Sequence, residues 1–204
     1  MSSSALLEST VIPAAAKTFP VRHRWTVSEF QRMSETGLLG PEARMELLEG
    51  ELFERAPIGS FHAGTVDILT RQLIRATGYS AIVCVQSPVV LGNHSEPQPD
   101  MVLLRPRPDY YLKAHPRAED VLLLIEVSDS TAQFDRKTKT PLYARHGIPE
   151  VWLVVGPQRR HIEVYRDPQP ERRGYQTRLQ VREGALAPLR LPEAEIQLSE
   201  LFIG

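Results

Sequence analysis

The chain has 204 residues, 42% hydrophobic and 24% charged, with a formal net charge of -1. These proportions belong to a soluble globular protein able to close one core, and they exclude an intrinsically disordered chain. The near-neutral balance excludes attachment to nucleic acid through the overall field, so an anionic partner has to be met by a local patch.

The opening, "MSSSALLESTVIPAAAKTFP", has neither a basic leader nor a long apolar stretch. It reads as a disordered tail over residues 1–20, not a secretory signal, with a single domain over residues 21–204. Thr26 followed by Glu29 is a capping box and Gly37 a stop, which predicts a short helix. The spacing after Pro41 predicts a second helical turn to about Leu48, a break at Gly50, then a strand. Ser60 is a candidate N-cap for a longer helix whose apolar positions are Val66, Leu69, Leu73 and Ile74. Short β-branched runs follow: "AIVCVQSPVVL", "DMVLL", "VLLLIEV", "EVWLVV", "HIEVYR" and "YQTRLQV". One more helix falls between "IEV" and "VWLVV", and the tail "LSELF" follows the last strand. The pattern predicts an α/β protein, with α+β as the alternative: a mixed central sheet flanked by helices. The single cysteine, Cys84, reads as core in a reducing, cytoplasmic setting. No apolar run approaches the ~18 residues needed to span a bilayer.

Chemistry enters at "VLLLIEV", where Glu126 stands on the end of an apolar run. A buried carboxylate must be protonated, paired or bound to a metal. Asp100 heads the preceding strand in "QPDMVLL". Alone it reads as a turn residue; with Glu126 on a neighbouring strand it becomes half of a paired-carboxylate site. Hard oxygen ligands at few positions suit magnesium. Lys137 or Lys139, just downstream, is then the cation that orients water or offsets phosphate charge, unless both are solvated helix residues.

The series "MELLEGE", "SFH", "QPDMVLL", "LIEVSDST", "DRKTKTPLYARHGIPEVWLV" and "IEVYR" resembles the Uma-two family, whose members are classed as restriction endonucleases within the PD-(D/E)XK nuclease-like superfamily. The resemblance runs from about Trp25 to about Tyr175. It implies a restriction-endonuclease-like core and a phosphodiesterase site using Mg2+ or Mn2+. Residue by residue, it implies Asp100 and Glu126 as acidic metal ligands, the Val127 carbonyl beside them, Lys139 as the catalytic lysine and Glu46 as an early acidic member. It also implies nucleic acid, DNA first, as partner, and a homodimer with two sites for two strands.

Two features depart from the pattern. Where the superfamily places its lysine, two residues after the glutamate, this chain has Ser128. Pro141 stands where an ordinary helical residue is expected; with Thr140 as N-cap, the helix would start late and leave Lys139 just ahead of it. His62 matches a family histidine, although a lone histidine after Ser60 reads as a surface or capping residue. With Lys137 and Glu49, which could share a face with Glu46, it completes the auxiliary candidates. Tyr143 and Trp152 read as packing aromatics. Short basic clusters, including Arg159 and Arg160, read as solvated surface or phosphate grips. There is no Gly-rich phosphate loop, paired-cysteine zinc spacing or nucleophile elbow. The expectation is a metal-dependent endonuclease; the rival is a non-catalytic nuclease-fold binding or assembly module.

Overall fold

The computed structural model describes residues 20–40 and 42–202. All but the last residue of the tail expected over residues 1–20 lies outside them, as does Pro41. Helix α1 spans Val27–Glu35, and its capping box forms as expected: Thr26 Oγ1 accepts from the Glu29 amide at 3.2 Å, and Glu29 Oε2 accepts from the Thr26 amide at 2.8 Å.

The next segment overturns an expectation. Met45–Leu48 is not helical but a strand, β1, paired antiparallel with β2, Glu51–Glu54. Glu49 and Gly50 between them both have positive φ, 49° and 86°. Two such residues make the tight turn whose twist matches the strands it joins, and that local geometry outweighs the helical spacing of the leucines. Leu47 and Glu96 exchange backbone hydrogen bonds of 3.3 and 2.7 Å, which anchors the hairpin beside the segment leading to Asp100.

Helix α2 spans Ser60–Thr77 and is capped at Gly59 rather than by the Ser60 side chain. Val66, Leu69 and Leu73 are buried as expected, but Ile74 is 54% exposed. Six strands then form one sheet in chain order: β3 (Ile82–Val85), β4 (Met101–Leu104), β5 (Val121–Ser128), β6 (Glu150–Val155), β7 (His161–Gln169) and β8 (Gly174–Val181). The first run is shorter than predicted, since the chain leaves the sheet after Val85; Val89 and Leu91 are still buried. Cys84 is only partly buried. β5 and β6 are parallel and every other pair is antiparallel. A small hairpin, β9 (Ala185–Leu186) with β10 (Ile196–Gln197), and helix α5 (Leu198–Leu201) close the fold.

The parallel pair requires a crossover, and this crossover carries the lysines. It runs without a break through α3 (Ala132–Phe134), a π-helical segment Asp135–Lys139, and α4 (Thr140–Arg145). The predicted late start is therefore wrong. Thr140 is helical, φ -58° and ψ -44°, and its amide bonds to Asp135 O, five residues back. Pro141 has no amide to give, and in a regular α-turn its ring would press on the carbonyl four residues earlier; a widened turn relieves both problems. Lys139 thus sits inside the helical run.

The centre of the sheet is buried on both faces. Leu123, Ile125, Val127 and Trp152 pack under α2 and α5, while Leu124, Val151 and Leu153 pack under α4 with Tyr143. Because side chains alternate along a strand, Glu126 points to the α4 face with Leu124. No helix among the described residues is long and apolar enough to cross a membrane.

Candidate active site

β4 and β5 pair Met101 with Ile125 and Val102 with Leu124. Extending that register by one residue sets Asp100 opposite Glu126. Opposed residues of an antiparallel pair share a face, with Cβ atoms about 5 Å apart. The Val127 amide donates to Asp100 Oδ2 at 2.8 Å, locking the aspartate onto the strand end. Asp100 Oδ1 accepts from Arg55 at 3.1 Å, just beyond β2. His62 Nε2, from the first turn of α2, also stands 3.1 Å from Asp100 Oδ1, but it lacks the alignment of a hydrogen bond and remains a buried nitrogen without such a partner.

Glu126 is reached from the crossover. Lys139 Nζ lies 3.2 Å from Glu126 Oε1 and 3.1 Å from Glu46 Oε1 on β1, so one ammonium bridges two carboxylates. The Tyr143 hydroxyl, one helical turn on, donates to the same Glu126 oxygen at 2.5 Å. Glu46 Oε2 accepts from the Gln98 amide at 3.2 Å. Ser128, in the position where the superfamily keeps its lysine, donates its hydroxyl to Asp135, and Thr131 does the same at 3.0 Å.

Glu46, Arg55, His62, Asp100, Glu126, Asp135 and Lys139 line a cavity of about 330 Å³ between the hairpin, the start of α2 and the crossover. Glu46, Asp100, Glu126 and Asp135 are each at most 5% exposed. They face Lys139 and the nearly buried Arg55, a formal excess of negative charge. Burial, only partly offset by Lys139 and reinforced by Asp100, Asp135 and Glu46, pushes the Glu126 carboxyl up to about 8. Asp135 is also raised, again mainly by burial. Asp100 goes the other way: burial would raise it, but His62, the Val127 amide and Lys139 together hold it below the ordinary aspartate range. For Lys139, burial is outweighed by the surrounding carboxylates, and its pKa is raised. The lysine is therefore a fixed cation, and Glu126 is the group that titrates near neutrality.

Four predicted residues thus meet in one hollow: Asp100, Glu126, Lys139 and Glu46, the last from a strand instead of a helix. His62 joins them, contrary to its reading as a surface or capping residue. Lys137 does not: it is exposed and borders a neighbouring groove. Glu49 sits in the hairpin turn and pairs with Arg145, away from Glu46's partners. Arg55 has no signal in the sequence, because its partner is brought in by the fold. Asp135 and Tyr143 stand inside the run "DRKTKTPLYARHGIPEVWLV", but that run assigns neither a role at the site; Tyr143 reads as a packing residue, and it is indeed fully buried.

The profile of the Uma2 family, described as "Putative restriction endonuclease", matches residues 27–199. No curated protein matches. Among solved structures, one titled as a "putative nuclease belonging to DUF820", from Anabaena variabilis ATCC 29413, superposes with a TM-score of 0.65. It is 18% identical and covers 87% of this chain and 97% of its own, a likeness of fold. The family match spans the hairpin, the paired strands and the crossover that build the hollow, and the chain belongs to the Uma2 family.

Proposed function

We propose that the hollow is the active site of a metal-dependent endonuclease that hydrolyses phosphodiester bonds of nucleic acid, DNA first among them. The observation that carries this reading is the register placing Asp100 opposite Glu126, with Lys139 held between Glu126 and Glu46 at the same spot.

The donor set fits a divalent cation. Buried oxygens exceed the cations that face them, and the His62 Nε2 beside Asp100 has no hydrogen-bond partner. Among the described residues, no three His, Cys, Asp or Glu side chains form a group that could hold a metal ion by themselves. Magnesium needs only one or two carboxylates and fills its remaining positions with water and substrate oxygens. Asp100, Glu126 and the Val127 carbonyl would hold Mg2+ or Mn2+. When bound, the cation supplies charge stabilisation at the phosphate and acidifies water.

The rest falls to the chain's own groups. Lys139, kept protonated, orients the attacking water and offsets the charge that develops on the phosphate. Glu46 and Tyr143 fix the lysine and Glu126 in position, and the Val127 amide and Arg55 fix Asp100. Two copies, one per strand, would serve a duplex.

The full engagement of both Asp100 oxygens within the protein favours a second reading, a nuclease-fold binding or assembly module. Incubation of plasmid DNA and labelled oligonucleotides with Mg2+ or Mn2+ decides between them. The parent should cleave, and Asp100→Asn and Lys139→Met should not. A parent inert on every nucleic acid tested would leave the second reading.

A further inference from the structure

The acidic hollow does not end in open solvent on every side. Asp129 lines it and also lines a neighbouring groove of about 490 Å³ bordered by Arg136, Lys137 and Arg159. That groove shares Arg136, Gln158 and Arg159 with a wider one of about 680 Å³, whose walls add Arg178 and Arg182 on β8 and the strand's end. Along this path the charge changes sign. Five cations border the two grooves, against the carboxylates of Asp129 and Glu163.

Glu163 does not cancel the excess so much as organise it. It is 4% exposed and lies beneath the groove on β7. It accepts from Arg136 at 2.9 to 3.1 Å, from Arg178 at 3.0 Å and from the Tyr165 hydroxyl at 2.5 Å. Burial alone would raise its carboxyl, yet Arg136, Tyr165 and His161 hold it at about 2, so it stays ionised. One buried carboxylate thereby fixes two guanidiniums whose side chains remain 24% and 57% exposed. Arg182 donates to the Arg159 carbonyl at 3.3 Å, and among the described residues neither arginine, nor Lys137, has a carboxylate within ion-pair distance. Arginines fixed at one edge by Glu163 and still partly exposed can meet phosphate oxygens with their remaining N–H groups at low entropic cost. Such a strip on a chain of net charge -1 is the local patch that a polyanion requires.

We propose that this arginine-lined groove is the track along which the phosphodiester backbone of a nucleic acid strand leaves the hollow, crossing the crossover helix and running onto β7 and β8. The inference rests on nucleic acid being the ligand of the hollow.

The test measures anisotropy of labelled single-stranded and duplex oligonucleotides in EDTA, where no cleavage occurs, across a range of salt. The parent should bind with a clear salt slope. Arg159→Gln combined with Arg182→Gln, two exposed positions, should lower that slope by about 2 and weaken binding roughly fifty-fold near 0.1 M salt. The matched control is Arg71→Gln with Arg75→Gln on exposed positions of α2, which removes equal charge and should bind as the parent does. A groove variant with unchanged affinity and slope, an equal loss in the control, or a parent that binds neither form overturns the proposal. Hydrolysis of bis(p-nitrophenyl) phosphate with Mn2+ separates the two readings, because that ester is too small to reach the groove. Its cleavage at parental rate by the groove variant, together with lost oligonucleotide binding, supports both. Cleavage with unaltered oligonucleotide binding sinks the groove alone. Binding that follows the groove, without hydrolysis of any ester, sinks the nuclease alone.

Discussion

Glu126→Gln keeps the shape of the side chain at the centre of the hollow and removes the charge whose burial dominates it. In the metal-free protein the Glu126 carboxyl titrates at about 8, against an ordinary 4.5. Between those values the folded chain holds a proton that the unfolded chain has released. Stability should therefore fall as pH rises through this window and level off above it. At about 1.4 kcal/mol per pH unit, the gap sets a ceiling of roughly 5 kcal/mol on the loss. The Gln variant has no such proton to lose. Urea unfolding in EDTA from about pH 5 to about pH 9 should show the variant gaining on the parent steadily as pH rises. Lys139, whose pKa is raised above an already high value, titrates outside this range and does not blur the comparison. A parent-minus-variant difference that stays flat across the window would refute the reasoning.

The other predictions concern the supports. Lys139→Met should cost about 3–5 kcal/mol without metal, by leaving the buried Glu46 without its cation, and should abolish cleavage, whereas Lys137→Ala should alter neither; thermal melting and a cleavage assay check both. Tyr143→Phe removes a donor to the Glu126 carboxylate, so the pH at which that group ionises should move further up, with a stability loss of about 1–2 kcal/mol, read by melting across pH. Gly156→Ala would put a Cβ 1.9 Å from the Phe61 ring beside His62, and unfolding should show a loss of at least about 1–3 kcal/mol that Phe61→Leu partly restores. Light scattering should give twice the 23.0 kDa chain mass if two copies serve a duplex.

The parts of the site that were legible were charges in the wrong place for solvent. Glu126 on an apolar run and Asp100 at the head of another pointed to one another because strands of that kind are neighbours, and the register bears out the pairing. Lys139 over Lys137 came from the resemblance, and the π-helical turn that aims it was not foreseeable: it depends on an i-to-i-5 bond that periodicity does not encode. Glu46 was expected on a helix and lies on a strand. "MELLEGELF" suits both periods, and the decisive feature is the pair of positive φ values at Glu49 and Gly50. Arg55 lies 45 residues from its partner Asp100. Nothing in its own neighbourhood marks it, and the same is true of the hydroxyl of Tyr143, whose ring was legible only as packing.

The most direct test of the proposed metal site is calorimetric titration of Mn2+ into the parent, Asp100→Asn and Glu126→Gln near pH 7. The parent should bind one ion per chain and release a proton as Glu126 ionises, and both variants should lose that event. A parent that takes up no ion, or variants that bind as the parent does, would contradict the assignment of Asp100 and Glu126 as the ligands.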